Sequence, residues 1–446
     1  MNDSFCILPW IHLQTKPDGQ IKPCCRFDVK HNDYKVHDKE YKFDEFNINK
    51  NYDLVDALNS KEWEEIRTAM LAGDKVSGCK KCYQEEEFDY NNVYKNSRKK
   101  VISMRAKVNR SWNRENDYDL KQRKLKYLEI ALGNYCNLKC RTCSGLLSTT
   151  WYDDDNNLAP YYKDRKKHKS IVNVVKDWTV EEFSDIEEIK FTGGEPMLHP
   201  NFIKILDLIL STGREGLIKL DIFTNASWVP TDKILDRLKQ FNKVVINLSV
   251  DGIGIVNDYI RAPSEWNTVD ASVKKWLEIE QECQDTFIVK WLPCINLYNI
   301  WQFGDMLDWW FDVKYQGALD PHKILDIIDS LVVTTVHSPE YLAASNYPEK
   351  EELKAKLIAH KRNLIATLRE TLTGEDEKWM IEVYVERIYN KVMSMLHKDV
   401  NSEDLKTFVE YTVDLDAMRN QDIRKDIPEL WDKIKDLVEY KGRINE

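Results

Sequence analysis

The sequence has no long apolar run: no stretch of about 18 apolar residues occurs, so no membrane span is expected. Its opening residues, MNDSFCILPW, lack a basic segment followed by an apolar one, so no signal peptide is expected and the cytoplasm follows by default. Positive charge is not in excess. The net charge of −10 argues against nucleic acid or an anionic membrane surface as partner. There is no low-complexity segment, and no internal repeat beyond a strand–helix alternation. A disulfide framework is also not expected, because the 10 cysteines sit in a long chain with no export signal.

What is present is a chain of 446 residues, 42% hydrophobic and 31% charged, enough for two or three soluble domains. Eight of its 10 cysteines fall in two groups, one before residue 83 and one at 136–143. Clustering of this kind in a reducing compartment points to metal or iron–sulfur ligation. Cys283 and Cys294 stand alone and read as small apolar filler.

Strand patterns that end in polar or glycine clusters recur from residue 126: KYLEIALGN, IEEIKFTGGEP, LIKLDIFTNAS, KVVINLSVDG and FIVKWLPCINLYN. Amphipathic helical patterns lie between them, such as NFIKILDLILST (201–212) and DKILDRLKQF (232–241). This alternation predicts an α/β fold with a parallel sheet, a partial (β/α)6 TIM-like barrel over 127–315. In such barrels the carboxyl rim of the strands carries the chemistry. Residues 1–92 read as a small α+β module with a turn at KPDGQ and a helix over 60–73. Residues 93–126 read as a basic linker, and 316–446 as mainly helical. KDRKKHKS (163–170) reads as an exposed loop, and the 14 tryptophans mostly as core.

The stretch NYCNLKCRTC holds Cys136, Cys140 and Cys143 in a C-x3-C-x2-C spacing, and the next cysteine along the chain is Cys283. Three thiolates leave one iron of a cluster open to a small ligand. A three-cysteine zinc site completed by a remote histidine is the other reading of the trio. Placed after a first strand, with TGGEP after the second, the spacing resembles the signature of the radical S-adenosylmethionine (SAM) superfamily. The resemblance covers roughly residues 125–300.

That resemblance implies that Cys136, Cys140 and Cys143 bind a [4Fe–4S] cluster whose open iron is chelated by SAM. One electron then cleaves SAM to a 5′-deoxyadenosyl radical that takes hydrogen from substrate. It implies further that Gly193, Gly194 and Glu195 receive the methionine ammonium. Asn225, Ser249 and Asp251 would stand where polar contacts fall, and Arg261 would face the methionine carboxylate. Asn225 and Asp251 read equally as turn formers. Thr142 stands where the family often has an aromatic residue.

The N-terminal group, FCILPWIHLQTKPDGQIKPCCRF and SGCKKC, offers four thiolates for a closed site, structural zinc or a saturated cluster. It resembles the Twitch (short SPASM-like) auxiliary-cluster module, although here it precedes the barrel. The resemblance implies a second [4Fe–4S] cluster on Cys6, Cys24, Cys79 and Cys82, with Cys25 the alternative to Cys24. Trp10 and His12 read as packing and capping groups. Such a cluster takes up an electron from a substrate radical, so the net reaction is oxidation or cross-linking of a small molecule or peptide. The implied reductant is a flavodoxin- or ferredoxin-type protein. The other class of reading is a non-catalytic electron relay or redox sensor on the same fold.

Overall fold

A computed structural model describes residues 4–28, 33–36, 39–42, 45–50, 52–83, 124–168, 177–315, 330–336 and 338–444. The basic stretch expected at 93–126 lies, up to residue 123, outside the described residues.

The main sheet has seven strands in the order β2-β1-β5-β6-β7-β8-β9. They are β1 (His12–Thr15), β2 (Ile21–Lys22), β5 (Tyr127–Ala131), β6 (Glu188–Thr192), β7 (Lys219–Thr224), β8 (Lys243–Leu248) and β9 (Phe287–Trp291). β3 (Asp33–Val36) and β4 (Lys39–Lys42) form an antiparallel pair of their own. β10 (Cys294–Ile295) and β11 (Thr334–Thr335) form a short parallel pair. β5 pairs in parallel with β6, and β6 with β7, as Glu129↔Lys190↔Asp221. The N-terminal hairpin joins this sheet, because β1 pairs in parallel with β5 as Gln14↔Glu129. The α/β class and the strand–helix alternation from β5 to β9 match the sequence reading.

The helices near the N-terminus are α1 (Leu8–Ile11), α2 (Leu54–Asn59) and α3 (Lys61–Ala72). Local chemistry sets their ends. Asp53 caps α2 by accepting from the Val55 and Asp56 amides, Ser60 caps α3, and Gly73 closes it at φ 93°, where a side chain is disfavoured. The helices that follow β5 to β9 are α4 (Tyr152–Leu158), α5 (Asn201–Leu210), α6 (Asp232–Leu238), α7 (Ile255–Ile260), α8 (Trp266–Glu282) and α9 (Phe303–Tyr315). α5 buries Phe202, Ile205, Leu206 and Ile209, and the Phe202 ring meets Phe191 of β6 edge-on at 5.1 Å. The chain then forms α10 (Lys350–Glu370), α11 (Glu375–Ser394) and α12 (Ser402–Arg419). No helix described is long and apolar enough to cross a membrane.

Contacts within the chain define two compact units: Met1–Tyr135 with Ile171–Ile222 and Asp232–Val244, and Cys136–Ser170 with Phe223–Thr231 and Val245–Glu446. The first has a core of Leu13, Ile21, Trp63 and Met70 with Leu128, Ile189 and Leu220, all fully buried. The second is built around Trp151, Trp276, Trp291, Trp310, Tyr259 and Phe408. Trp379 departs from the expected tryptophan core and is 64% exposed.

Candidate iron–sulfur and SAM site

In the second unit, Cys136, Cys140 and Cys143 follow β5 in one irregular loop. The Cys143 amide donates to the Cys140 carbonyl (2.9 Å), and the Leu138 amide reaches the Cys136 sulfur (3.5 Å). The chain around α7 fixes the loop from one side. The Lys139 and Arg141 amides donate to the carbonyls of Ala262 and Ile260, both at 2.7 Å. Burial pushes the Cys140 thiol up to about 11, partly opposed by the nearby Arg261 charge. Burial, then Cys140 and Cys136, push Cys143 up to about 12. Two buried thiols raised in this way give up their protons to a cation that binds them.

The Thr-Gly-Gly-Glu tail of β6 belongs to the first unit. Gly193 has φ 109°, and a Cβ there would lie 2.6 Å from the Gly133 carbonyl oxygen; at Gly194 it would lie 2.1 Å from that of Tyr135. The Gly194 amide donates to Gly133 O (3.1 Å) and the Glu195 amide to Tyr135 O (2.8 Å). The close approach that demands the glycines is therefore to the chain's own backbone at 133–135. Glu195 is buried.

Asn225, Asp251 and Arg261 are brought into play in the second unit. Asn225 donates from Nδ2 to Asn137 Oδ1 (2.8 Å), with the Cys136 sulfur 3.9 Å away, and its Oδ1 accepts from the Ser227 amide (3.0 Å). It closes a turn and also ties the cysteine loop. Asp251 accepts from the Cys294 amide on Oδ1 (2.8 Å) and from Arg261 Nη1 on Oδ2 (2.5 Å). Burial opposes the charge of the Arg261 guanidinium, but the neighbouring Cys140 sulfur and the paired Asp251 carboxylate outweigh it, while its Nε has no partner among the described residues. A fixed guanidinium with a buried free donor fits a carboxylate ligand. Ser249 is placed by its amide, which donates to Thr224 O (2.8 Å).

Cys294 sits beside Asp251. Its amide is held by Asp251, and burial, then the Asp251 carboxylate, push its thiol up to about 12. It lies in the tail of the fifth strand pattern. Asn299 of that tail donates to the carbonyls of Asp251 (2.8 Å) and Cys294 (3.0 Å). The reading of 163–170 as an exposed loop holds for Lys163, Lys166 and Lys167, but Arg165 is buried among partners described below.

In the first unit, the groups that act most on the Cys24 thiol after its own burial are Cys25, Cys79 and Cys6, and together they raise it well above its ordinary value. Cys25 is raised by desolvation and then by Glu129, with Lys190 next to it. The two adjacent cysteines thus face different neighbours, and Cys24 is the one grouped with Cys6 and Cys79. Cys82 is buried at the same knuckle. The Asp28 amide donates to Gly78 O (2.9 Å), tying the Cys-Cys turn to the C-x2-C segment. His12 Nδ1 meets Pro23 O at 2.8 Å, and Trp10 packs on Phe5 with ring centres 5.2 Å apart, which are capping and packing roles. Among the described residues, no three His, Cys, Asp or Glu groups are placed to hold a single metal ion.

Residues 130–289 match the profile of the Radical SAM superfamily, and residues 6–83 match SPASM, an iron–sulfur cluster-binding domain. The chain carries a radical SAM domain with a SPASM module ahead of it. Those domains imply a [4Fe–4S] cluster with SAM, and at least one further iron–sulfur cluster. GTP 3′,8-cyclase of Alkaliphilus oremlandii is 24% identical over 144 residues, 30% of this chain and 38% of that protein. The corresponding protein of Clostridium botulinum is 27% identical over 131 residues, 29% of this chain and 36% of that one. The chain thus spans well under half the length of these relatives. Among solved structures, native anSMEcpe with bound AdoMet and Kp18Cys peptide shares 17% identity over 56% of this chain and 63% of that chain, with a TM-score of 0.36. Streptococcus suis SuiB bound to the precursor peptide SuiA shares 14% identity over 66% of this chain and 58% of that chain, with a TM-score of 0.32.

Proposed function

We propose that this protein is a radical SAM enzyme that oxidises or cross-links a small molecule or a short peptide. Cys136, Cys140 and Cys143 hold the SAM-binding [4Fe–4S] cluster, and Cys6, Cys24, Cys79 and Cys82 hold the auxiliary one. When bound, the first cluster and SAM supply a 5′-deoxyadenosyl radical that takes a hydrogen atom from substrate. Arg261, fixed by Asp251 and with an unpartnered buried Nε, would bind the methionine carboxylate. Gly193, Gly194 and Glu195 shape the place of the methionine ammonium, and Asn225 and Ser249 add polar contacts. A cluster held by Cys6, Cys24, Cys79 and Cys82 would accept the electron that substrate oxidation releases.

In this reading residues 1–92 form the auxiliary module, 127–315 the catalytic core and 316–446 a helical support. The protein works in the cytoplasm with a flavodoxin- or ferredoxin-type reductant. The observation that carries the proposal is the three-cysteine loop after β5, with the buried, raised Cys140 and Cys143 thiols beside a buried guanidinium with a free donor.

Anaerobic reconstitution tests it. The expected result is about eight irons per chain, no zinc, and 5′-deoxyadenosine after adding dithionite and SAM. About four irons with one zinc and deoxyadenosine would keep the enzyme and remove the auxiliary electron acceptor. A loaded, reducible protein that forms no deoxyadenosine, even with candidate substrates present, would sink the proposal in favour of electron relay.

A further inference from the structure

Helix α12 (Ser402–Arg419) buries an unusual set of polar groups: Tyr411, Thr412, Asp414 and Asp416 are at most 3% exposed. Buried carboxylates are costly unless partnered, and here many of the partners belong to the cysteine loop and the segment that follows it. The Tyr411 hydroxyl donates to the Arg141 carbonyl (2.9 Å) and accepts from Arg165 Nη2 (2.6 Å). Arg165 in turn donates from Nη1 to the Cys143 carbonyl (2.6 Å). Asp416 pairs with the Arg141 guanidinium and accepts from the Tyr259 hydroxyl (2.7 Å). Asp414 accepts from the Tyr162 hydroxyl (2.6 Å). Arg419 donates to Asp154 (2.8 Å), which also pairs with Lys139 inside the loop (3.2 Å).

Two more loop carbonyls are bound by side chains from the same segment. Leu138 O accepts from Ser148 Oγ (2.5 Å) and Thr150 Oγ1 (2.7 Å), and Cys140 O accepts from Trp151 Nε1 (2.9 Å). Trp151 is itself sandwiched by cations, with Arg165 at 4.6 Å and Arg419 at 4.5 Å from its ring. The carbonyls of 138, 140, 141 and 143 are therefore all held by side chains, while the Lys139 and Arg141 amides are held by backbone carbonyls and the Leu138 amide reaches Cys136 Sγ (3.5 Å).

We propose that α12 is a clamp that holds the 136–143 loop in its cluster-binding conformation before iron arrives, with Tyr411 as its central positioning residue. The proposal rests on the assignment of Cys136, Cys140 and Cys143 as ligands. The clamp prepays the backbone ordering of the loop, which otherwise opposes assembly. It also keeps carbonyl dipoles from turning toward the cluster, and hydrogen bonds to cluster sulfurs and local charge set cluster potential.

Hydrogen exchange on the iron-free full-length chain reads the loop without any cluster. Tyr411→Phe keeps the ring that packs on Tyr162 (5.5 Å) and Tyr341 (5.1 Å) and removes only the hydroxyl. It is expected to speed exchange of the Lys139 and Arg141 amides about three- to tenfold, the effect of losing roughly one buried hydrogen bond. Thr412→Val removes the neighbouring hydroxyl pair with Tyr298 (2.7 Å), which bonds none of the loop carbonyls, and leaves those amides at the wild-type rate. After reconstitution, Tyr411→Phe is expected to release iron to a chelator faster and to shift the potential of the three-cysteine cluster negative, while Thr412→Val changes neither. Unchanged exchange in Tyr411→Phe, or equal acceleration in both variants, overturns the clamp. Protected loop amides in a wild-type chain that takes up no iron at these cysteines would overturn the clamp together with the cluster assignment, and the iron count tells that failure from the others.

Discussion

The two cysteine groups of this chain are assembled in opposite ways. The 136–143 loop packs three thiols into eight residues, and its backbone is tied down by side chains such as Trp151, Arg165 and Tyr411. The N-terminal group gathers Cys6, Cys24 and Cys79 from segments far apart in sequence, held by backbone pairing and by single side chains such as His12 and Arg67. Arg67 is fully buried and donates to the carbonyls of Pro9 and Leu58, both at 2.9 Å. A local site is specified by spacing and then made rigid by its surroundings. A non-local site exists only once the hairpin, α3 and the knuckle have folded together.

Substitutions that attack one group and spare the other would break this comparison. The largest effect is expected for Cys140→Ala, which should abolish deoxyadenosine formation and remove about four irons while the auxiliary signal persists by electron paramagnetic resonance. Loss of both signals would mean that the groups are not independent. Cys24→Ser should remove about four irons from the other group, and Cys25→Ser should leave the iron count at the wild-type level. The reverse pattern would reassign the ligand.

Gly194→Ala comes next. Its Cβ would meet the Tyr135 carbonyl at 2.1 Å, so thermal or denaturant unfolding should show a loss of roughly 3 kcal/mol. Arg261→Gln should weaken SAM binding about tenfold, measured by equilibrium dialysis, with iron content unchanged.

The smallest effect sharpens the comparison through pH. In the iron-free chain the Cys140 and Cys143 thiols are raised from 9.0 to about 11 and about 12. Between pH 9 and those values the folded chain binds more protons than the unfolded one, so stability falls as pH rises. The contribution of these thiols is fully present below pH 9 and is lost through pH 11 to 12. A Cys140→Ala/Cys143→Ala double variant should show a flatter decline in Tm over that window. An identical slope would mean that other groups, such as the raised tyrosines, carry all of it.

Much of the architecture was legible beforehand because strands and helices write their period into the side chains. The alternation in EIKFT and KLDIFT appears as alternating burial in β6 and β7, and the helical character expected after residue 316 appears in helices such as Lys350–Glu370. The trio at 136–143 was equally plain, since its ligands are neighbours in sequence. The hold of Asp251 on the Cys294 backbone was hidden, since the two are 43 positions apart. The grip of Tyr411 on Arg141 was hidden for the same reason, since 270 positions separate the two.

By itself, then, the sequence determined the strand–helix alternation, the two cysteine groups and the glycine pair at the end of β6, because each depends on residues close together along the chain. Only the tertiary structure decided that the N-terminal hairpin extends the main sheet, that Cys24 and not Cys25 faces Cys6 and Cys79, that Arg261 is set by Asp251, and that α12 closes on the cysteine loop. Those choices rest on hydrogen bonds, charge pairs and burial between distant segments, which no local pattern of side chains encodes.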